Sequence, residues 1–565
     1  MKRFLSMLLV AAMVLSLAAC GGNSGSDNTG STTNAAANEA GEKTTEKAPA
    51  EQAGSEAAQT EAPKAEGTDG EETSLVAVVT SDPGGLSPYG TNRGGKQAVR
   101  SAVFEALFWM DENKNLCPVL GKSYEYLGEG KYHVTLFDYI TDSQGNALKA
   151  SDVVFSLDKM IEDGHSNSWV GSLDTYSAVD EYTVELVFKN EFRGNFETLV
   201  CNLYCVTEAA WTASPDAMAE DPVGTGLYLY ESGVSGSEYN FVKRDGYWQT
   251  DEQYICAKNT CNVDHFTLRI INDASTIAIA LENGEIDYTQ NIENADRGNF
   301  MNEETGEVLD GYTMKELINS SLIRMSFNCS EKSQCSDANL RKAIATAVDN
   351  AAVAYNAVGI CGHETTGYFN PIWLDADADA MSVDNYYSYD PDAAKAFLDS
   401  SSYDGTTLKV LVQPNSNCTN AAVLIQAYCR AIGIDLELME FESAMYSEYF
   451  DDETGELWDF IIWGIGSSND ATWKQLYTLD INQGKTGVNH LQIADEKLQS
   501  LYDTAANVNT NSTESVNELL SYVTDNCYEY GMFYYTLIYF GTDKVTKIVT
   551  GAGNSESIYN AFELK

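Results

Sequence analysis

The stretch from Leu408 to Leu438 restricts the fold more than any other. Leu408, Val410 and Val412 alternate with a strand's period, and a helix-period run follows from Ala421 to Ile432. Gly433 stops that run, and Ile434, Leu436 and Leu438 alternate again. A strand–helix–strand unit is a crossover, which sets two parallel strands side by side in an α/β sheet. Asp459-Phe460-Ile461-Ile462-Trp463 is a short apolar run of the kind a buried central strand shows. Upstream, Tyr182, Val184, Leu186 and Phe188 alternate as a half-buried strand, and Val134 with Leu136 marks a weaker one. Ser151 is placed to cap a helix whose Val154, Leu157 and Ile161 share a face and which ends near Gly164. Ser336 is placed to cap a second, with Leu340, Ile344 and Val348 four apart. There is no internal repeat, so pattern alone gives a multi-lobed α/β protein.

Before Leu75 the chain changes character. Lys2 and Arg3 precede an apolar stretch, Phe4 to Val14, that is too short to span a bilayer, and Leu17-Ala18-Ala19 stands before Cys20. These are the parts of an export signal. Ending in Cys, the signal resembles the lipobox of bacterial lipoproteins, which implies a diacylglycerol on the Cys20 sulfur and an anchor on the outer face of the cell membrane. Residues 21–73 carry eleven acidic and three basic side chains and almost nothing large and apolar. Such a composition does not bury enough surface to offset ordering, so a disordered acidic tether is expected. Later stretches never approach eighteen consecutive apolar residues, and the remaining length suits two or three domains. Of the formal net charge of −50, the leader contributes +2 and the tether −8, leaving −44 for residues 74–565. That acidity repels phosphate backbones, and nucleic acid is excluded as a partner.

Motifs for catalysis fail in turn. Gly233-Val234-Ser235-Gly236 has the wrong spacing for a nucleophile elbow, and His363-Glu364 is followed by Thr365 and Thr366 rather than by a second His at metalloprotease spacing. Asp375, Asp377 and Asp379 imitate the start of a calcium loop, yet Ala380 stands where a Gly is needed and Tyr386 where the bidentate Glu belongs. A solvated acidic loop is the reading there. Cys361-Gly362-His363 lacks a second Cys/His pair at zinc spacing. Neither a metal nor a cofactor is expected, and no enzymatic activity. Of the twelve cysteines, eleven follow Cys20. Cys256/Cys261 and Cys329/Cys335 are close enough in sequence to bridge short loops, while buried, reduced thiols are the plainer expectation.

Read in order, the local motifs resemble the family 5 extracellular solute-binding proteins, receptors of peptide and nickel ABC importers. Ser81-Asp82-Pro83 follows the opening strand Val76–Thr80, and Phe104-Glu105-Ala106-Leu107 comes next, like that family's D-P and F-E-x-L. Asp142 to Ser156 is similar to its signature around A-x-D-V-v-f-S, and Asp180 to Val184 to the strand after it. Pro222-Val223-Gly224-Thr225-Gly226-Leu227-Tyr228 resembles P-v-G-T-G-P-Y, with Leu227 in place of the proline. Arg244 to Trp248, Asn272 to Ala274, Leu281 to Asp287, Phe327-Asn328, Asp337 to Asp349 and Tyr389 to Lys395 continue the series. The resemblance implies the type II periplasmic-binding-protein fold with two main lobes, an extra lobe and a central hinge. Its first lobe would use residues 74–105, 222–318 and 531–565, the extra lobe 106–221, and the second lobe 319–530, with chain crossings near 318 and 530. Tyr247-Trp248 is expected in the core.

The resemblance also implies a monomer that closes over a small ligand and hands it to ABC permease subunits with cytoplasmic ATPases. Carried onto this chain, the first-lobe backbone element falls at Tyr89, Gly90, Thr91 and Asn92, and the second at Trp463, Gly464, Ile465 and Ser467. Trp463 also reads as a core tryptophan on a strand. Peptide-binding members place an Asp shortly after that Trp to meet the peptide's ammonium; here Gly466, Ser467, Ser468 and Asn469 intervene before Asp470. A Ser does not neutralise a buried ammonium. Either Asp470 takes that role, or the ligand has no free amine. Peptide leads on family frequency, with oligosaccharide, opine and metal-chelate binding as alternatives, where Tyr89 would stack on a sugar face. The fold serves sensory receptors as well as importers, and a hydrolase is the weakest reading.

Overall fold

The crossover at 408–438 nucleates one end of the main sheet. Leu408–Val412 pairs in parallel with Leu436–Glu440, Leu408 opposite Leu436, and the helix Ser416–Ile432 joins them. That helix begins before Ala421 because the Asn415 carboxamide accepts from the Cys418 N–H at 2.9 Å, and Gly433 ends it at φ +101°. Two expected caps are corrected by the computed structural model, which describes residues 72–90, 95–164, 170–192, 194–368, 383, 386–452, 454–466, 490–551 and 557–565. Ser151 lies inside its helix, Ala150–Asp163, whose cap is Lys149; Asp152 reaches back to the Lys149 N–H at 2.8 Å, and Gly164 closes the helix at φ +75°. Ser336 gives way to Asp337, which accepts from the Asn339 N–H at 2.7 Å and starts Ala338–Ala347.

Two long antiparallel strands, Tyr312–Phe327 and Glu529–Thr542, run through the whole sheet. On one side of them the sheet continues through Phe460–Gly466, Leu408–Val412 and Leu436–Glu440. On the other it continues through Tyr288–Thr289, Ser74–Val79, His265–Ile270, Glu238–Lys243 and Tyr228–Val234. The neighbours attach to opposite ends of the ribbon. On the ribbon, Phe460–Gly466 pairs with Ser321–Phe327, and Tyr288–Thr289 pairs with Phe540 and Gly541. Between these ends the ladder is broken: Ile318 faces Thr536 and Leu322 faces Tyr534, leaving 319–321 as a bulge. The sheet is therefore two half-sheets sharing one ribbon.

Each half is covered on both faces, as strands with parallel neighbours need. Ile323, Met325, Leu340, Ile344, Val410, Val412, Phe460 and Ile462 fill one face of the first half, and Leu322, Trp458, Ile461, Trp463, Ile465, Leu519 and Leu520 the other. Leu75, Ala77, Phe266 and Leu268 face one core of the second half, and Val78, Ile277, Leu281 and Phe540 another. Residues 121–188 form a separate antiparallel sheet in the order Gly121–Gly128, Lys131–Leu136, Thr183–Phe188, Leu173–Ala178, with its own core around Val134, Leu157, Val184 and Leu186. Among the described residues no single helix is long and apolar enough to cross a membrane.

The motif residues hold these parts together. Glu105 is buried and accepts from the Tyr247 hydroxyl at 2.5 Å and the Trp248 indole N–H at 3.0 Å, so Tyr247-Trp248 is core, as the sequence suggests. Burial pushes the Glu105 carboxyl above its usual range. A Cβ at Gly224 would overlap the Val103 carbonyl, and one at Gly226 would stand 2.7 Å from the Ala102 and Val103 carbonyls. Both glycines serve close approach.

Candidate ligand-binding site

Ligands of open α/β sheets sit beyond the carboxyl ends of the strands. Phe460–Gly466 runs past its parallel neighbour, which ends at Val412 opposite Ile462. Gln413, the next residue, spans the gap: its N–H donates to the Ile462 carbonyl at 3.0 Å, and its Oε1 accepts from the Gly464 N–H at 2.9 Å. Asn415 Nδ2 donates to the same Oε1 at 3.0 Å, which fixes that atom as the acceptor and leaves the NH2 group as the carboxamide's donor. Sequence reasoning missed Gln413; the available signal was its place just past a crossover strand. At Gly464 a Cβ would come within 2.9 Å of Ile323 Cδ1, so the close packing of the strand on Ile323 requires glycine here.

Strand alternation turns Trp463 and Ile465, each 6% exposed, into the core with Trp458 and Leu322. The Trp463 indole N–H donates to Ser326 Oγ at 2.8 Å, and the Ser326 hydroxyl donates to Glu529 Oε2 at 3.2 Å. Arg324 Nη1 donates to that oxygen at 2.7 Å, and both charges of this pair are almost fully buried. Arg324 and Glu529 lie on the two long strands, so the tryptophan is tied to the ribbon that both half-sheets share. Phe450 packs 5.0 Å from the Trp463 ring and stacks at 3.9 Å on His490. Burial, partly opposed by a hydrogen bond with the Phe450 backbone, lowers the His490 pKa to about 4.

After the strand Ser74–Val79, Asp82 pins the opening loop by accepting from the Gly84 and Gly236 N–H groups, each at 2.6 Å, and from the Tyr239 hydroxyl. Burial works against the Asp82 charge, but these hydrogen bonds outweigh it and hold the carboxyl below its usual range. Lys96 Nζ donates to the Gly85 and Ser87 carbonyls, and Arg100 to those of Pro88 and Gly90. Tyr89, the residue expected to stack on a sugar face if the ligand is an oligosaccharide, lies mostly inside the protein. It is 5% exposed, packs at 5.4 Å against Trp211, and donates its hydroxyl to the Tyr204 carbonyl at 3.1 Å. Gly90 is at φ +101°, with its N–H on Asp163 at 2.9 Å and its carbonyl on Arg100 at 3.2 Å, so both polar groups have partners within the protein. Thr91, Asn92, Ser467 and Asp470 lie outside the described residues, as do Cys20 and the Asp375–Asp379 acidic loop.

His363 Nε2 lies 2.8 Å from Thr536 Oγ1 and Arg297 donates to Cys361 Sγ at 3.1 Å, which uses both candidate zinc ligands otherwise. Among the described residues no group of three or more His, Cys, Asp or Glu is placed to hold a metal.

The family model described as bacterial extracellular solute-binding proteins, family 5 (middle) matches residues 115–487, more than half of the chain. A glutathione-binding protein, GsiB, of Shigella boydii is 27% identical over 220 residues; the alignment covers 38% of this chain and only 41% of that relative. The ABC transporter substrate-binding protein CtaP of Listeria monocytogenes superposes with a TM-score of 0.72 at 20% identity, covering 88% of this chain and all of that one. A dipeptide-binding protein of Pseudoalteromonas, in complex with Met-Leu, gives 0.69 at 16% identity, covering 87% and 100%. The fold is the type II-like periplasmic-binding-protein fold. This chain belongs to the family 5 bacterial extracellular solute-binding proteins.

Proposed function

We propose that the chain is the lipid-anchored receptor of an ABC importer for short peptides, capturing them between two closing lobes and handing them to the permease. The observation that carries this reading is the shared ribbon, with two half-sheets attached to its opposite ends and a broken ladder between. Residues 74–105, 222–318 and 531–565 then form one lobe, 319–530 the other, and 106–221 the extra lobe. Within this proposal the second crossing is taken at 534–536 rather than at 530, a choice supported by the pairing of Tyr530 with Met325 inside one half-sheet. The peptide preference draws support from the glutathione-binding relative and the dipeptide complex of the structural neighbour.

Under this reading the Gly464 edge and the Gln413 carboxamide meet the peptide backbone, and Asp470 meets its ammonium. A thermal-shift screen of di- to hexapeptides, their N-acetylated forms, neutral oligosaccharides and nickel chelates tests it. A ligand that binds only the folded state raises the melting temperature, by RT ln(1 + [L]/Kd) in free energy. Free-amine peptides should raise it, and acetylation should weaken binding roughly thirty-fold or more, since breaking a desolvated charge pair costs about 2–5 kcal/mol. Stabilisation by an oligosaccharide or chelate alone overturns the peptide assignment.

A further inference from the structure

All eleven cysteines of the described residues are thiols, and six of them, Cys205, Cys335, Cys361, Cys418, Cys429 and Cys527, are buried. Two of the rest meet each other. Cys117 sits on the short strand Leu116–Pro118, opposite Trp109, and Cys256 is the residue before the turn Ala257–Asn259. The two sulfurs are near enough to interact, and the Cys117 thiol also lies 3.8 Å from the Asn115 carbonyl. Both are half-buried, and both pack on one small apolar cluster made by Trp109, Val119, Ile558 and Ala561. Cys256 Sγ also accepts from the Lys258 and Asn259 backbone N–H groups, with the Lys258 charge nearby. Its sequence neighbour Cys261 points elsewhere, 3.3 Å from the Val263 carbonyl and 3.9 Å from the Tyr228 hydroxyl.

We propose that Cys117 and Cys256 are a reactive dithiol, oxidised to a disulfide by exchange with a small-molecule disulfide. The roles follow from the surroundings. The interaction with the Cys117 thiol, though opposed by burial, brings Cys256 down to about 7 and makes it the attacking thiolate; the same interaction pushes the Cys117 thiol up and keeps its proton. Cys256 S⁻ attacks one sulfur of R–S–S–R, that bond breaks, and RS⁻ leaves and takes a proton. With Cys256 now uncharged in the mixed disulfide, Cys117 gives up its proton and attacks the Cys256 sulfur, and the second RS⁻ departs. The two protein thiols lose two hydrogens and two electrons, and the small disulfide gains them as two R–SH. An extracytoplasmic compartment lets such a bond persist. The loop it closes contains the whole 121–188 sheet, so the bond staples the base of that sheet to the segment that follows Glu238–Lys243.

The test treats the full reduced chain with oxidised glutathione and maps it by mass spectrometry without reduction. A cross-linked peptide joining Cys117 to Cys256 is expected, with a melting temperature about 2–4 °C above the reduced form. Cys117→Ser should trap Cys256 as its glutathione mixed disulfide, whereas Cys256→Ser should leave Cys117 unmodified. The proposal is overturned if Cys256 pairs with Cys261, if Cys117 pairs with Cys201, or if both thiols still alkylate freely after oxidation. Should either Ser variant fail to fold, the wild-type map decides alone. None of these readouts depends on what the cleft binds.

Discussion

Trp463 admits two readings in the sequence, a ring facing the cleft or a core tryptophan, and its hydrogen bond to Ser326 places the indole in the core. The reason it was ambiguous is physical: a strand buried on both faces has apolar residues on each, so period-two alternation does not say which core a ring joins. Tyr89 escaped for the opposite reason, since a tyrosine in a polar loop reads as exposed until Tyr204 supplies a carbonyl from far along the chain. His490, under Phe450, carries a measurable consequence. Its folded pKa of about 4 lies below the usual value near 6.5, so above pH 6.5 it is neutral in both states and costs nothing. Between pH 6.5 and 4 the unfolded chain binds the proton and the native one does not, so stability falls as pH falls, by on the order of 3 kcal/mol in all. His490→Phe keeps the ring stack and removes the titration. Chemical denaturation should show the variant gaining on wild type from pH 7 to pH 4; parallel curves would sink the assignment.

At the scale of elements, the crossover at 408–438, the central strand at 460–466 and the 183–188 strand are all legible, because each is a local pattern closed by a local stop such as Gly433. Helix starts at Ser151 and Ser336 were misplaced because nearby carboxylates compete: Asp152 reaches backwards, and Asp337 lies one residue closer to its helix. Register along the long strands is not legible at all, since the bulge at 319–321 depends on both partners. One contact joins elements that the lobe assignment separates. Phe192 bridges Asn507 and packs on Tyr502 at 5.4 Å, the Val508 N–H donates to the Glu191 carbonyl at 2.7 Å, and the Tyr126 hydroxyl donates to the Glu191 carboxylate at 2.5 Å. If this patch holds the closed form, Phe192→Ala should weaken ligand binding. An aromatic pair and its buried area are worth about 1–3 kcal/mol, so the loss should be roughly five- to a hundred-fold by calorimetry, with the melting temperature of the free chain little changed. Unaltered affinity would show that the patch is passive.

For the whole molecule, the acidic body and the Cys20 anchor belong to one proposal: a receptor tethered on the outer face of the membrane. Cys20→Ala should release the mature chain from the membrane fraction on cell fractionation; retention equal to wild type would refute the anchor. The central claim is capture by closure about the ribbon at 318–322 and 534–536. Small-angle X-ray scattering of the full chain, with and without a peptide shown by thermal shift to bind, tests it most directly. The account predicts a smaller radius of gyration in the bound state. An unchanged radius at saturating peptide would contradict it.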